Sequence, residues 1–523
     1  MRGRLRELRT TVEWGSVTAD NTSSGQSPAH ETNDLRQVRL DKRAELLRSG
    51  REAYPVKLPL TDTLGGVRQA YGHLEAGEET DDVVTVAGRV VFARNTGKLC
   101  FATLQESGHD GRAVRLQAML SLANVGEESL ADWKKLTDLG DHVYVSGRVI
   151  SSRRGELSIM VSEWGMASKA IRPMPVLHAD LNEETRVRQR YADLMVRDEA
   201  REMIYRRDAI TRSVRETLHG HGYVEVETPM LQLIHGGAAA RPFETHLNAF
   251  GQDMTLRIAT ELYLKRTVVG GVPRVFEIGR IFRNEGVDST HSPEFTTLEC
   301  YEMYGDQFVM AERMQEIILN AADAAGVGRT LETSKGTINL DGEWKWLSVY
   351  PGLSEAVGVE ITPDTEASVL VDLAEKHEVK VDPKWGAQKL VIELFGEIVE
   401  PTLIDPTFVY DYPPAAQPLA RPHRDQPGVI EAWDLIIGGM ERGTAFSELI
   451  DPVIQRERLT EQSRLAADGD DEAMALDEDF LRALEYGAPP MGGIGLGIDR
   501  LVMLFTDAGI RETILYPLLK PEA

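Results

Sequence analysis

The sequence has few of the features that mark secreted, membrane-inserted or zinc-binding proteins. Only two of its 523 residues are cysteines, Cys100 and Cys300, and they form no CxxC pair. This argues against a cysteine zinc site and for a reducing compartment, where disulfides are rare. No stretch approaches the ~18 consecutive apolar residues that a membrane-spanning helix needs. The charged start MRGRLRELRTTVEWGS lacks the apolar segment of a signal peptide. We therefore expect a cytoplasmic protein without membrane association.

Common nucleotide-binding and hydrolase motifs are also missing. There is no GxxxxGK[ST] loop, and the glycine-rich GGIGLGIDR at residues 492–500 has neither GxGxxG spacing nor a surrounding βαβ unit. We find no Ser/His/Asp constellation, no His-rich metal cluster and no internal repeat. The sequence therefore does not indicate a P-loop protein, a dinucleotide-binding fold or a serine hydrolase.

The length predicts two or three domains, because 523 residues exceed what one hydrophobic core usually supports. The formal net charge of −25 would argue against a polyanionic partner, but nucleic-acid binding depends on local basic patches. One such patch is a predicted helix from Leu35 to Arg51. Its cationic side would carry Arg36, Arg39, Lys42 and Arg43, and its inward side Leu40 and Leu47. From the charges alone, a solvated helix face is the simpler interpretation.

Three regions differ in pattern. Residues 1–33 are rich in Ser, Thr, Asn, Asp and Gly without apolar periodicity, which predicts a disordered tail. Residues 34–170 contain an N-terminal helix and five short period-two segments, with a helical segment between the third and fourth, which is typical of an OB-type Greek-key barrel. Residues 171–523 mix helices and strands without regular βαβ alternation. This predicts an α+β domain on a mainly antiparallel sheet.

Three segments of the last region combine strand patterns with arginines. The first, GYVEVETPML, is a period-two strand that ends at Pro229. The second, RVFEIGRIFRNEGVDSTHSPEFTTLECYEMY, is strand–loop–strand with Arg283 at the loop's entry. The third, GIGLGIDRLVMLF, runs from a strand into a helix with Arg500 in its first turn. With GGAAARPF, TELYLKR and AFSELIDP between them, they resemble motifs 1, 2 and 3 of class II aminoacyl-tRNA synthetases. Their spacing is similar to that of the bacterial lysine-specific members, and the resemblance runs from about Asp34 to Pro521.

The resemblance implies a ligase that joins L-lysine to tRNA(Lys) through a lysyl-adenylate made from ATP. Arg283 would contact the α-phosphate and the lysine carboxylate, a task that suits a planar guanidinium. Arg500 would stack on adenine opposite Phe295 or reach the γ-phosphate. Glu285 and His291 would hold the adenine and phosphate ends of the motif 2 loop. Taken alone, Glu285 and His291 could equally be solvated turn residues.

Three phosphates bring more negative charge than two arginines offset, so the resemblance also implies Mg²⁺, a hard cation that takes carboxylate oxygens. Asp434 and Glu441, in EAWDLIIGGMERG, match the family's metal positions, and Glu441 would also contact ATP. Their spacing brings the two side chains together only if a turn at Gly438–Gly439 folds the strand back. As an isolated pair they would more simply be surface carboxylates.

The resemblance assigns the amino-acid pocket as well. Glu448 and Tyr301 would contact the ε-amine of lysine, Glu261 and the backbone at Gly237 the α-amine, and Glu299 lies close by. The further assigned residues are Arg283, Thr444 and Phe446. The chain departs from the family at Thr444 and Ala445, where Asn and Gly are usual. The shorter Thr hydroxyl and the Ala methyl, which would narrow the pocket, leave the affinity for the amino acid open.

In the barrel, the resemblance implies that an anticodon UUU or CUU is read by Phe101 and, with less support, by Gln117, Arg94 and Glu156, because OB-type barrels stack bases on aromatic side chains. An inward-facing Phe would be the commoner reason for a lone aromatic. Motif 1 implies a homodimer that covers Val224 and Val226.

Three other interpretations compete with that of a lysine–tRNA ligase. They are a specialised lysine-activating paralogue, aspartyl or asparaginyl specificity, which the acidic Glu448 disfavours, and a non-catalytic RNA-binding protein, which the retained arginines and carboxylates disfavour.

Overall fold

The computed structural model describes residues 28–175, 181–467, 469–470 and 473–521, without the side chains of 28–33. Residues 28–106 and 114–175 form one compact unit, and the other described residues form a second. Most of the predicted tail lies outside the described residues, but helix α1 begins at Pro28 rather than at Asp34. Within the described ranges, no helix has the length and apolar character needed to cross a membrane.

The first unit is a closed barrel of five strands in the order β1-β2-β3-β5-β4. The strands are β1 (Glu79–Asn95), β2 (Leu99–Ser107), β3 (Ala113–Ser121), β4 (His142–Ser151) and β5 (Leu157–Ser168). The helices are α1 (Pro28–Arg48), α2 (Leu64–Tyr71), α3 (Leu122–Val125) and α4 (Glu127–Leu136). The predicted OB-type barrel is confirmed, including a helix between the third and fourth strands.

Successive side chains of the barrel strands point alternately into the barrel and away from it. Cys100, Ala102 and Leu104 of β2 are buried in the barrel core, so Phe101 and Thr103 point the other way. Trp133 of α4 is buried in the same core and packs edge-on against Trp164, with ring centroids 5.0 Å apart. The outward face of β2 is therefore free of core packing.

Helix α1 presents a different face from the predicted one. Leu46 is fully buried, whereas Leu47, expected to face inward, is 49% exposed. Successive residues of an α-helix are rotated by about 100° around its axis, so a side chain one position away from Leu46 no longer faces the core. Arg39 is buried too, and its guanidinium donates to the carbonyl oxygens of Leu139, Ala170 and Arg172 at 3.0–3.2 Å. Arg39, one residue of the predicted basic patch, is thus buried and bonded within the first unit.

The second unit is built on an eight-stranded sheet in the order β14-β15-β16-β17-β18-β11-β10-β6. Two small sheets, β7-β9-β8 and β12-β13, belong to the same unit. The strands of the three sheets are β6 (Val224–Glu225), β7 (Leu231–Gln232), β8 (Glu244–Leu247), β9 (Gln252–Leu256), β10 (Arg274–Phe282), β11 (Glu294–Met303), β12 (Thr330–Thr333), β13 (Gly336–Asn339), β14 (Lys345–Ser348), β15 (Thr407–Tyr410), β16 (Ala432–Ile436), β17 (Glu441–Ser447) and β18 (Met491–Gly497). Only the two outer pairs, β14–β15 and β6–β10, are parallel. The predicted α+β class on a mainly antiparallel sheet is confirmed.

Helices flank this sheet. They are α5 (Glu183–Arg188), α6 (Arg190–Val196), α7 (Asp198–Gly220), α8 (Glu261–Val269), α9 (Gln307–Ala325), α10 (Val349–Val357), α11 (Ala367–Lys376), α12 (Ala387–Ile398), α13 (Pro452–Ala467), α14 (Glu478–Glu485), α15 (Ile498–Thr506) and α16 (Ile510–Thr513). Short 3₁₀ turns cover Glu400–Thr402 and Pro414–Ala416. Helices α10, α11 and α12 share a second apolar core with β15 and β16.

Strand β6 is much shorter than the predicted strand that ended at Pro229. The N–H of Val226 still donates to the carbonyl of Phe276, at 2.9 Å. The N–H of Thr228 instead donates to the Glu277 carboxylate, at 3.0 Å. The chain leaves the ladder because a side chain replaces the neighbouring backbone as its partner.

Alternation also divides the main sheet into a packed face and an open face. Leu298 of β11 and Ile494 and Leu496 of β18 join a core formed with α7, α9 and α15. Glu299, Tyr301 and three glycines of β18 therefore lie on the opposite face. Glycine adds no side chain there, so β18 forms a flat floor. The cavity described next lies over that floor.

Candidate active site

A cavity of about 330 Å³ lies on the open face of the main sheet. It is lined by every site residue that the sequence placed in this unit except Asp434. These residues are Gly237, Glu261, Arg283, Glu285, His291, Phe295, Glu299, Tyr301, Glu441, Thr444, Phe446, Glu448 and Arg500. Residues more than 200 positions apart in the chain thus meet because β11, β17 and β18 are neighbours in the sheet.

The charged loop between β10 and β11 is held together by Asp288, which the sequence analysis did not single out. Its carboxylate accepts hydrogen bonds from the N–H groups of Thr290 (2.6 Å) and His291 (2.8 Å). The His291 ring contributes a further bond through Nδ1, at 2.9 Å. These bonds, led by the one from the Thr290 backbone, hold the pKa of Asp288 far below its usual value. A local Asp turn of this kind fixes where His291 meets the cavity.

Arg283 stands at the entry of this loop without an acidic partner. Its guanidinium lies 5.3 Å from the centroid of the Phe295 ring, and its Nε is 3.4 Å from the carbonyl oxygen of Ile258. Among the described residues, no carboxylate forms an ion pair with it. Burial lowers the pKa of Arg283, and nearby Glu285 and Glu441 oppose that effect. The side chain is thus available for an anionic ligand.

Arg500 and Glu441 are paired at one end of the cavity. Nη1 of Arg500 lies 3.3 Å from Oε2 of Glu441 and donates to the Glu441 carbonyl at 3.1 Å. In return, Nη1 of Arg442 donates to the carbonyl of Arg500 at 3.0 Å. Burial, then Arg500, lowers the pKa of Arg442 to about 10. This reciprocal pair of bonds, which the sequence did not reveal, links β17 to α15.

The two candidate metal carboxylates belong to one hairpin. Gly438 and Gly439 form its turn with φ of 65° and 61°, and a Cβ at Gly439 would come within 2.8 Å of the Pro401 carbonyl oxygen. The pairing sets Ile436 opposite Glu441 and, after a bulge, Asp434 opposite Thr444. Burial, then Glu441, raises the pKa of Asp434 to about 7. The turn on which the sequence argument depended is therefore present, although Asp434 is not among the residues that line the cavity.

The opposite end of the cavity is built from buried carboxylates around one ammonium group. Lys265 of α8 is 1% exposed, and its Nζ lies 2.5 Å from Oε1 of Glu261 and forms a second ion pair with Oε2 of Glu448. Oε1 of Glu448 is buried without a hydrogen-bond partner. The sequence analysis missed Lys265, although its i,i+4 spacing from Glu261 in TELYLKR is the signal of a helical ion pair.

The other predicted pocket residues pack around this group. A Cβ added at Gly493 would overlap Oε1 of Glu448 and the ring of Tyr301, so only glycine leaves room for both. Oε1 of Glu299 accepts the N–H of Thr260 at 3.1 Å. Gly237 has φ of 87° and its Cα packs against Glu261, where a Cβ would be 3.0 Å from the Glu261 Cβ. The proposed α-amine and ε-amine contacts thus lie at one end of the cavity.

Burial raises the pKa values of the carboxyl groups near Lys265. Burial, then Glu261, raises the pKa of Glu299 to about 7. Burial raises the pKa of Glu448 to about 8 although Lys265 opposes it. Burial by itself would lower the pKa of Lys265, but Glu261 and Glu448 raise it above its ordinary value, so the ammonium stays charged. The ligand-free cavity therefore holds carboxyl groups that are partly protonated near neutral pH.

The departure at Thr444 and Ala445 has a structural explanation. The hydroxyl of Thr444 donates to the Trp433 carbonyl at 3.2 Å, and its methyl group faces Gly495. The hydroxyl is therefore engaged by the neighbouring strand rather than left for a ligand. Ala445 belongs to the main hydrophobic core, on the face of β17 opposite Thr444. Ala445 is among the residues that line the cavity. Its methyl group points into the core, however, because alternate residues of a strand face opposite sides, so the expectation that this methyl narrows the pocket is wrong.

The four anticodon candidates lie in the first unit. Phe101 is paired with Arg94 across β1 and β2, and neither belongs to the barrel core. Gln117 lies on β3, with Nε2 3.4 Å from the Ser158 hydroxyl, and Glu156 forms an ion pair with Arg68 at 3.0 Å. Phe92, which is 51% exposed and pairs with Thr103, shares the outward face of Phe101. The sequence analysis did not single out Phe92.

Comparison with known proteins identifies the class. Residues 182–520 match the family model described as tRNA synthetases class II (D, K and N), and residues 84–166 match that of an OB-fold nucleic acid binding domain. The chain belongs to the class II tRNA synthetases. Within that class it is a member of the lysine–tRNA ligase family, as the following relatives indicate.

Lysine–tRNA ligases of Kineococcus radiotolerans and Mycolicibacterium gilvum are 55% and 56% identical to it, over 94% and 92% of this chain and 99% and 96% of theirs. The lysylphosphatidylglycerol biosynthesis bifunctional protein LysX of Mycobacterium ulcerans is 46% identical over 95% of this chain, which spans 44% of that longer protein.

We expect the affinity for lysine to fall as the pH falls. Glu448 and Glu299 have raised pKa values of about 8 and 7 in the ligand-free cavity, so they gain protons as the pH drops through that range. A bound ammonium favours the carboxylates, so binding must release protons, and the dissociation constant should rise about tenfold per pH unit for each proton released. Calorimetry from about pH 8.5 to about pH 6, in buffers of different ionisation enthalpy, measures both quantities. A constant affinity without proton release would contradict this assignment.

Proposed function

We propose that this chain carries out ATP-dependent attachment of L-lysine to tRNA(Lys) through a lysyl-adenylate, for protein synthesis. The charge balance among the residues assigned to the lysine pocket is the observation that carries this proposal. Two buried carboxylates, of Glu261 and Glu448, and the half-buried carboxylate of Glu299 face two cations, Lys265 and Arg283. One negative charge is left when all five groups are ionised. Lysine, with two ammonium groups and one carboxylate, carries one positive charge and balances it. Aspartate and asparagine would leave a carboxylate uncompensated.

In the first step, a carboxylate oxygen of lysine attacks the α-phosphorus of ATP, and the bond to pyrophosphate breaks. Negative charge grows on the phosphoryl oxygens and the leaving group, so catalysis depends on placement and on cations. Arg283, without an acidic partner and beside Phe295, suits both the carboxylate and the α-phosphate. Arg500 suits adenine or the γ-phosphate once ATP replaces Glu441 as its partner. Glu285 and His291 would hold the nucleotide at the loop.

Asp434 and Glu441 fit a Mg²⁺ site that ATP completes. Within the described residues, no cluster of three or more His, Cys, Asp or Glu side chains could hold a metal ion alone. Mg²⁺ in nucleotide enzymes is commonly bound by one or two carboxylates together with phosphate oxygens. Glu441 in the cavity wall and Asp434 on the neighbouring strand of the same hairpin supply such a pair. The ion would neutralise phosphate charge.

In the second step, a ribose hydroxyl of the 3′-terminal adenosine of tRNA attacks the lysyl carbonyl carbon, and AMP leaves. We assign residues 171–523 to this chemistry and residues 34–170 to anticodon binding. Phe101 is supported by its outward position beside Arg94 and Phe92 on an OB-type barrel, where bases stack on aromatic rings. Gln117 and Glu156 are assigned by resemblance.

A homodimer is part of the proposal. Strand β6 is an edge of the main sheet, and Val224 is 51% exposed, whereas Val226 packs partly against the apolar cluster of α8. Met230 and Leu233 nearby are 49% and 65% exposed. A second copy would cover these side chains. A cytoplasmic location suits the two cysteines, which are both free thiols.

The reaction is tested by ATP–pyrophosphate exchange with each amino acid in turn. We expect exchange with lysine alone, and Glu448→Gln should raise the lysine KM at least about tenfold while the ATP KM stays within about twofold, because the amide keeps the size but not the charge. Exchange with a different amino acid, or none with lysine, would contradict the proposed function.

The metal assignment is tested with Glu441→Ala. We expect exchange to fall about 100-fold or more, because a ligand of Mg²⁺ and the partner of Arg500 are both lost. Lysine binding, measured by calorimetry without ATP, should stay unchanged. Glu397→Ala, at an exposed carboxylate of α12, is the control for loss of charge. Undiminished exchange in Glu441→Ala would show that the assignment is wrong.

The barrel assignment is tested with Phe101→Ala. Stacking of a base on an aromatic ring contributes ~1–3 kcal/mol, so charging of tRNA should weaken about tenfold or more. Exchange, which needs no tRNA, should be unaffected and is the internal control. A parallel loss of both activities would identify Phe101 as a structural residue.

A further inference from the structure

One buried cation lies beside three of the residues that are proposed to bind lysine. Nζ of Lys265 pairs with Glu261, 2.5 Å away, and with Glu448, and lies 5.8 Å from the centroid of the Tyr301 ring. Lys265 itself does not line the cavity. The Nζ contacts come from three elements, α8, β11 and the segment after β17. Lys265 therefore holds the cavity wall from behind.

The position of Lys265 determines which oxygen of Glu448 a ligand meets. Its ion pair takes Oε2, and Oε1 stays buried without a hydrogen-bond partner beside Gly493 and Tyr301. Without Lys265, the Glu448 carboxylate could turn, and the buried carboxylates would be left with less compensation. A single ammonium thereby fixes both the orientation of Glu448 and its separation from Glu261.

We propose that Lys265 is a positioning residue that sets the length of amino acid accepted, because it fixes the spacing between the acceptors of the two substrate ammonium groups. This inference rests on the proposed function, in which Glu261 receives the α-amine and Glu448 the ε-amine. Lysine spans the two acceptors, whereas ornithine is one methylene shorter. The discrimination between them then depends on Glu448 being held in place.

The test is a double-mutant cycle in ATP–pyrophosphate exchange, with Lys265→Met, Glu448→Gln and the double variant in the full-length protein. For Lys265→Met we expect the lysine KM to rise about tenfold or more and the ratio of kcat/KM for lysine over ornithine to fall about tenfold, because one methylene commonly gives 10–200-fold discrimination. The ATP KM should stay within about twofold. The double variant should have the lysine-to-ornithine ratio of Glu448→Gln alone, since Lys265 sets that ratio through Glu448.

Arg266→Met is the matched control. Arg266 is the next residue of α8, and its guanidinium pairs with Asp477, 2.5 Å away, which does not line the cavity. This variant should keep the lysine-to-ornithine ratio of the wild type.

If Lys265→Met does not fold, Glu448→Gln and the charge-balanced double variant still decide the matter. Equal lysine-to-ornithine ratios in these two variants support the proposal, and a further fall of the ratio in the double variant overturns it. An unchanged ratio in a folded Lys265→Met also overturns it. Wild type that does not activate lysine would instead refute the proposed function.

Discussion

Buried negative charge is the constraint on which the site depends. Glu261 and Glu448 are buried and Glu299 is half-buried at one end of a cavity, where carboxylates are stable only if they are paired or protonated. Lys265 compensates part of that charge, and the raised pKa values of Glu299 and Glu448 reflect the remainder. The cavity is therefore prepared for a cationic ligand, since binding restores the charge that burial disfavours.

The sheet makes this arrangement possible by separating core from chemistry. On β11 and β18, alternate residues enter the hydrophobic core beneath the sheet, and the residues between them face the cavity. The apolar side chains of the packed face each contribute about 1.5–3 kcal/mol when fully buried. The glycines of the open face contribute little packing but leave the volume that Glu448 and Tyr301 occupy. A stable core thus supports an open, polar face within the same strands.

The phosphate end of the cavity follows a different principle. There, the groups proposed to bind the nucleotide are held by short local interactions. These are the turn at Asp288 and two side-chain to backbone hydrogen bonds, from Arg442 to the carbonyl of Arg500 and from Arg500 to the carbonyl of Glu441. Arg283 has no acidic partner among the described residues, and Arg500 has only Glu441. Backbone carbonyl groups orient both cations, and the charge of Arg283 remains available to an anion. One cavity therefore presents an acidic end and a basic end.

Strand alternation, helix periodicity and three motifs in order were enough to predict the barrel, the class of the main sheet and the membership of the cavity wall. Those features are local, or belong to segments whose spacing is specific. Tertiary structure alone decided that Leu46 rather than Leu47 faces the core, that Thr444 bonds to Trp433, and that Lys265 lies between two glutamates. Each of these depends on which distant atom occupies the neighbouring space. A sequence specifies the donors and charges of a chain, but the partner of a buried charge is determined only when strands distant in sequence pack together.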